Sequence, residues 1–323
     1  MPDYPIKFHP ILKEKIWGGE KLLNLLNKSA THKNTGESWE ISGVSGDISI
    51  VANGIYKNKA LNELQSELKE KLVGRKVFEK FGEEFPLLIK FIDAKTALSV
   101  QLHPNDDLAK TRHNSFGKTE MWYIMQADPG ANIIIGFKDT VSKEKYLTSL
   151  KEDRVTELLN FEEVKNGDSF FIHTGNIHAI GAGVLLAEIQ QTSDITYRIY
   201  DWDRKDELGN SRELHIDLAL DAINFKRRDD FKLNYARSAN QATNIATCKY
   251  FTTNFLPVEG NLIKDYSNID SFIILMCVSG GAQISIDHNS EPINMGQSIL
   301  IPAITGEVSF KCEKAEFLEI YID

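Results

Sequence analysis

Apolar residues recur along this chain in short runs, and the runs are separated by Gly, Asn and Asp. Segments 39–42, 87–94, 98–103, 121–126, 133–137, 169–173, 184–190 and 196–200 are rich in β-branched and aromatic residues and read as strands. Many short strands punctuated by turn signals predict a mainly β sandwich or barrel. Two stretches depart from that pattern. Leu61, Leu64, Leu68 and Leu72 follow helical spacing, as do Tyr146, Leu147, Leu150, Val155, Leu158 and Leu159, so helical insertions are expected at about 59–82 and 142–160. Segment 213–225 is amphipathic and predicts a helix or an ordered crossover, whereas 226–240 is charged and weakly patterned and marks a boundary. Strands return at 271–278, 282–286, 298–301 and 317–322, so the expected organisation is one domain over 1–240 and a second β domain over 241–323. Gly167-Asp168-Ser169-Phe170-Phe171-Ile172-His173 and Gly296-Gln297-Ser298-Ile299-Leu300-Ile301-Pro302 share a turn glycine, a serine and an apolar strand at matching offsets. Two copies of one unit would look this way, the second having lost the histidines that follow the first.

The chain has 323 residues of which 42% are hydrophobic, enough for sizeable cores without covalent staples. Lysine and arginine number 37 against 46 acidic residues, and the net charge of -9 offers no basic surface for a nucleic acid. A small anionic substrate remains compatible, because a few cations inside one cleft set the local potential. The cysteines Cys248, Cys277 and Cys312 are odd in number and lack CxxC spacing, as expected for reduced thiols in a cytoplasmic protein. No basic stretch followed by an apolar one opens the chain, and no apolar run is long enough to cross a bilayer, so no membrane partner is expected.

The chemistry lies in three segments. In Ser99-Val100-Gln101-Leu102-His103-Pro104 the alternation puts Gln101 and His103 on one strand face. In Lys118-Thr119-Glu120-Met121-Trp122 the same rule groups Lys118, Glu120 and Trp122. His178 follows a Thr174-Gly175-Asn176 turn and is expected to face the barrel interior from a loop. Two histidines, a carboxylate and an amide oxygen suit zinc or a related divalent metal with a position left for water or substrate. A lone buried Gln, His or Glu is ordinarily a satisfied structural group, and a facial iron site would use the same residue types. Spacing alone leaves these readings open.

The wording of the segments separates them. Phe91-Ile92-Asp93-Ala94, Ser99-Val100-Gln101-Leu102-His103-Pro104, Gly117-Lys118-Thr119-Glu120-Met121-Trp122, His173-Thr174-Gly175-Asn176-Ile177-His178-Ala179, Glu188-Ile189-Gln190-Gln191-Thr192-Ser193-Asp194 and Thr196-Tyr197-Arg198-Ile199-Tyr200-Asp201-Trp202 occur in this order. Together with Lys15-Ile16-Trp17-Gly18-Gly19 and Gly36-Glu37-Ser38-Trp39-Glu40, this series closely resembles the type I mannose-6-phosphate isomerase family in its shorter bacterial form. The resemblance runs from near residue 8 to about 225. It implies a double cupin, in which a catalytic jelly roll carries the helical insertions and the second cupin is metal-free. It further implies one zinc ion per chain held by Gln101, His103, Glu120 and His178, and a catalytic arginine at Arg198.

An aldose–ketose isomerase moves a proton between adjacent carbons through an enediol, so negative charge develops on oxygen. Arg198 is expected to hold that charge, Lys118 to bind substrate, and Glu188 to act as acid/base or to bind a sugar hydroxyl. A strand arginine could instead pair with Asp201 or Asp203, and Glu188 could simply bond Arg198. His215 is a further candidate near the site, while His113 and His173 are held in reserve. Trp17, Trp39, Trp122 and Trp202 are left out of the site, since tryptophan commonly serves core packing. The expected partner is a sugar phosphate, and the expected state a monomer or weak homo-oligomer. A non-catalytic sugar-phosphate-binding cupin is the alternative the tandem β domains also permit.

Overall fold

The computed structural model describes residues 3–29, 32–205 and 208–323. Among these, the apolar runs pair into three main sheets. The first is antiparallel, with strands in the order Lys232–Leu233, Ser169–Ile172, Glu120–Ala127, Val184–Gln191, Leu87–Ala94, Ile11–Gly19 and Thr35–Ser42. The second runs Tyr197–Tyr200, Val100–Leu102, His178–Ile180, Asn132–Phe137 and Leu159–Glu163.

Period-two alternation sends the first sheet's side chains into two different cores. Leu87, Ile89, Phe91, Met121, Tyr123 and Ile189 pack with Leu61, Leu64 and Leu72 from the helical insertion and with Phe255, Ile274, Met276 and Leu300 from the C-terminal half. Ile92, Ala94, Trp122, Ile124, Val184 and Leu186 enter the other core, where they meet Ile133, Ile135 and Ile180 of the second sheet. The two sheets therefore face one another, which is the jelly-roll arrangement expected. Behind the second sheet a further core joins Val100, Leu102, Ile134 and Ala179 to Tyr146, Leu158 and Ala219.

The 61–81 insertion is helical but divided into Leu61–Leu68, Glu70–Val73 and Arg75–Phe81. The breaks fall at Lys69 (φ 51°) and Gly74 (φ 89°), backbone conformations that end an α-helix. A Cβ at Gly74 would stand 2.2 Å from the Asp270 carbonyl oxygen, so the glycine permits close docking onto the C-terminal half. Asp270 Oδ1 then accepts the Arg75 amide at 2.8 Å. The second insertion forms Lys143–Lys151, its N-terminus capped by Ser142 Oγ, followed by a 3-10 turn at Val155–Leu158. Only Ile216–Leu220 of the 213–225 stretch is helical. The helix Asp106–His113 has no counterpart among the expected elements, because it buries only Ala109 and carries no apolar stripe to read.

In the C-terminal half the order is Thr243–Thr247, Thr252–Asp265, Glu307–Tyr321, Ile273–Ile286 and Asn289–Asn294, with Ser298–Ile301 paired to Ile273–Ile286 off this path. The expected strands 271–278 and 282–286 are one long strand whose pairing is irregular around Gly280 (φ 70°). Its Ile274 and Met276 join the core shared with the first sheet, whereas Ile273, Leu275 and Cys277 join Leu256, Phe310 and Phe317 in a separate one. The repeated sequence segments adopt the same local form: Gly167 (φ 85°) and Gly296 (φ 84°) precede Ser169–Ile172 and Ser298–Ile301. All three cysteines are free thiols. No helix among the described residues is long and apolar enough to cross a membrane.

The shared core makes a definite prediction. Leu300→Ala removes a fully buried side chain and should cost about 2–5 kcal/mol, read from urea unfolding, with both halves unfolding in one transition. Two separate transitions, only one of them shifted, would mean that the halves are stabilised independently.

Candidate metal centre and active site

Strand pairing brings distant segments into one row. Gln101 lies opposite His178 on one side and opposite Arg198 on the other. Directly opposed residues on one sheet face are near neighbours, so an amide, an imidazole and a guanidinium line up across the second sheet. On the facing sheet, Glu120 is opposite Gln190, Trp122 opposite Glu188, and Lys90 opposite both Glu188 and Trp39.

His103, Glu120 and His178 converge between the sheets. Their candidate ligand atoms all lie within 4.8 Å of one another, and all three side chains are buried. His103 Nε2 is 3.2 Å from Glu120 Oε1, and His178 Nε2 is 3.1 Å from His103 Nε2. The tautomers follow from the other ring nitrogens: His103 Nδ1 lies 2.8 Å from the Ile195 carbonyl oxygen and His178 Nδ1 lies 2.9 Å from that of Asn176. A carbonyl only accepts, so each Nδ1 carries its proton and donates, and each Nε2 presents a lone pair. Two lone pairs thus face one another beside a carboxylate, neither of whose oxygens receives a well-directed hydrogen bond. Acceptors turned toward one another fit a divalent cation, and the backbone carbonyls behind the imidazoles are the outer partners that orient metal-binding histidines. Gln101 borders the same cleft, its Oε1 accepting from Ser99 Oγ at 3.2 Å.

Lys118 Nζ stands 3.0 Å from Glu120 Oε1 and 3.4 Å from His103 Nε2. Burial, reinforced by this ammonium, pushes the His103 imidazole down to about 4, and burial likewise lowers His178. Burial opposes ionisation of Glu120, but Lys118 and the imidazoles prevail and hold its carboxyl well below the usual range.

A second set of charges lies beside the first. Buried Lys90 binds Glu188 Oε1 at 3.0 Å and Gln190 Oε1 at 2.7 Å, and stands 5.2 Å from the centre of the Trp39 ring. Burial works against its charge, but Glu188 and Glu37 outweigh it and raise the ammonium above its ordinary value. Trp122 Nε1 donates to Glu188 Oε2 at 2.9 Å, and Trp39 Nε1 to Glu37 Oε2 at 2.7 Å. Glu188 is therefore bonded to Lys90 and Trp122, not to Arg198. Asp201 is taken by Arg204 and Arg212, so Arg198 does not pair with it either. The Arg198 guanidinium donates to Ser99 Oγ at 3.3 Å and to the Glu213 carbonyl at 2.8 Å, and has no carboxylate partner among the described residues.

Gln101, Lys118, His178, Lys90, Glu188 and Arg198 line one cleft, which also takes in Lys15, Trp17, Asp194 and Arg212, while His103 and Glu120 lie beside it against His178 and Lys118. Every residue singled out as ligand or catalytic group in the sequence is in or beside it. His178 begins the strand His178–Ile180 rather than lying on a loop. Trp17, Trp39 and Trp122 do line the cleft, contrary to their omission, while Trp202 donates to the Leu98 carbonyl. His173 lies 3.0 Å from Arg228, His113 is 2.8 Å from the Tyr197 hydroxyl, and His215 Nδ1 accepts the Arg198 amide at 3.1 Å. Sequence reasoning missed Lys90 and Glu37. The signal for Lys90 was present, since a lysine at the centre of the apolar strand Leu87–Ala94 needs a buried anion.

Residues 6–130 match the sequence profile described as "Phosphomannose isomerase type I, catalytic domain", and residues 241–322 that described as "Mannose-6-phosphate isomerase, cupin domain". The mannose-6-phosphate isomerase ManA of Bacillus subtilis is 35% identical over 317 residues, 97% of either chain. That of Streptococcus mutans is 32% identical, covering 92% of both. A crystal structure of mannose 6-phosphate isomerase from Bacillus subtilis superposes with a TM-score of 0.89 at 33% identity, covering 99% of this chain and 100% of that one. With near-complete coverage at this identity and two facing sheets of the cupin type, the chain belongs to the type I mannose-6-phosphate isomerase family, in its short bacterial form.

Proposed function

We propose that this chain interconverts mannose 6-phosphate and fructose 6-phosphate, and that Gln101, His103, Glu120 and His178 hold one zinc ion. The observation that carries the metal assignment is the pair of imidazole lone pairs 3.1 Å apart beside the buried Glu120 carboxylate. Neutral imidazoles and a carboxylate, with no thiolate, suit zinc among the common divalent ions. When bound, the ion supplies Lewis-acid stabilisation of negative charge on substrate oxygen, worth several kcal/mol.

The remaining roles belong to the chain's own side chains. As the proton moves between adjacent sugar carbons, the enediolate that forms carries charge beside Arg198, whose guanidinium is free of any carboxylate among the described residues. Lys118 orients the Glu120 carboxylate and directs its ammonium into the cleft, where it binds substrate oxygen. Glu188 is fixed on both oxygens by Lys90 and Trp122, and retains lone pairs to accept a sugar hydroxyl or the migrating proton. Trp17, Trp39 and Trp122 give the cleft apolar walls that exclude water from the reacting carbons.

Arg198→Ala should lower kcat at least about 100-fold, the usual scale for losing a donor to a developing oxyanion, while the metal content of the purified protein stays unchanged. A coupled assay with metal analysis reads both, and undiminished turnover would remove Arg198 from the chemistry and favour a protein that only binds sugar phosphates. Chelation should abolish turnover, and added zinc should restore it.

The metal-free protein should also be acid-sensitive. Between pH 6.5 and about 4 the unfolded chain binds a proton at His103 that the folded protein excludes, so stability falls as the pH falls through that window. The loss from His103 alone is at most about 3 kcal/mol. Urea midpoints of chelator-treated protein and of His103→Gln, compared at pH 7.5 and 5, should show a shallower decline in the variant; parallel declines would exonerate the imidazole.

A further inference from the structure

The C-terminal half lends no side chain to the cleft, yet it is bonded to the segment that delivers Glu120. The link is Asp106, at the start of the helix Asp106–His113. Its Oδ2 accepts from the Tyr250 hydroxyl and lies 3.0 Å from Lys249 Nζ. Its Oδ1 accepts the Gly117 amide at 3.1 Å and the Gln191 side-chain amide at 3.0 Å. Gln191 in turn accepts the Thr119 amide at 3.0 Å through its own side-chain oxygen, and the Lys118 amide donates to the Pro104 carbonyl at 3.3 Å. All three amides of Gly117, Lys118 and Thr119 are thus engaged immediately before Glu120. The fit is close as well, since a Cβ at Gly117 would stand 2.7 Å from the Asp106 nitrogen.

One carboxylate therefore divides its oxygens between the two halves. The donors from Lys249 and Tyr250 fix the orientation of Asp106, and that orientation fixes where Gly117 and Gln191 can bond. We propose that Asp106, Gln191 and Tyr250 are positioning residues that set the placement of Lys118 and Glu120, so that the C-terminal half takes part in metal binding and turnover. The inference rests on the metal site and isomerase activity proposed above. A chain of charge-assisted bonds is the appropriate device, because a metal ligand displaced by a fraction of an ångström loses both affinity and catalytic geometry.

Tyr250→Phe keeps the ring and removes the hydroxyl, while Asp106→Ala removes the carboxylate. Metal affinity, read by competition with a chromophoric chelator in the absence of substrate, should fall about tenfold in the first and up to about a hundredfold in the second. The visible spectrum of the cobalt-loaded protein should shift, and kcat should fall with little change in KM. Asp106→Asn, whose amide oxygen can still face Gly117, should recover part of the affinity lost in the alanine variant. A folded Tyr250→Phe protein that loses thermal stability but keeps its metal affinity within twofold and its cobalt spectrum unchanged would overturn the proposal, even if Asp106→Ala fails to fold. Wild-type protein that binds metal without turning over mannose 6-phosphate would instead defeat the isomerase reading, and the affinity comparison would still decide the role of Tyr250.

Discussion

Two imidazole lone pairs and a carboxylate brought together in a buried space repel one another unless a cation lies between them. Such a cluster works against folding, because buried acceptors turned toward one another forfeit hydrogen bonds they would make in water, and Lys118 offsets only part of that cost. The surrounding architecture has to hold it in place. Glu120 comes from one sheet, whereas Gln101 and His178 come from the facing one, with His103 immediately past the strand Val100–Leu102. Their separation is therefore set by the distance between the sheets, and the apolar layer of Ile92, Ile124, Ile133, Ile135, Leu186 and Ile180 fixes that distance. Hydrophobic packing at one end of the jelly roll thereby supplies the geometry used at the other.

Around this cluster the charges alternate in sign. Lys118 lies against Glu120, and Lys90 stands by Glu188 and Glu37. The alternation keeps a polar, buried floor close to neutral, so that no single ion is left without a counterpart. At the mouth the arrangement changes. Arg204 and Arg212 occupy Asp201, and Arg198 is held by neutral oxygens. A guanidinium in that setting keeps its electrostatic pull for whatever anion enters, and this is the property an anionic intermediate requires.

Much of this was legible in the sequence because strands have a period of two. The alternation in Ser99–His103 and Lys118–Trp122 already fixes which side chains share a face, and the run of motifs with its family resemblance supplied the long-range pairing that alternation cannot. What escaped the sequence depended on tertiary neighbours. Lys90 reads as a stray charge until Glu188 and Trp39 are seen beside it, and three tryptophans look like core until the cleft they line is present. The helix Asp106–His113 escaped for the opposite reason: it is polar on nearly every side and is held by its capping Asn105 and by bonds through Asp106 to Tyr250. The 61–81 insertion was recognised as helical, but its division at Gly74 follows from the Asp270 carbonyl lying where a side chain would go.

The sheet built around Leu87–Ala94 and Val184–Gln191 is covered on both faces, by helices and the C-terminal strands on one side and by the partner sheet on the other. A layer confined in this way has almost no freedom to bend or to accept altered side-chain volume. A change of side-chain volume on the carboxylate-bearing wall is therefore felt in one packed core or the other. On the opposite wall Arg198 is partly exposed, but its neighbours Tyr197 and Ile199 are buried in the core behind that sheet, so both walls of the cleft are held from behind.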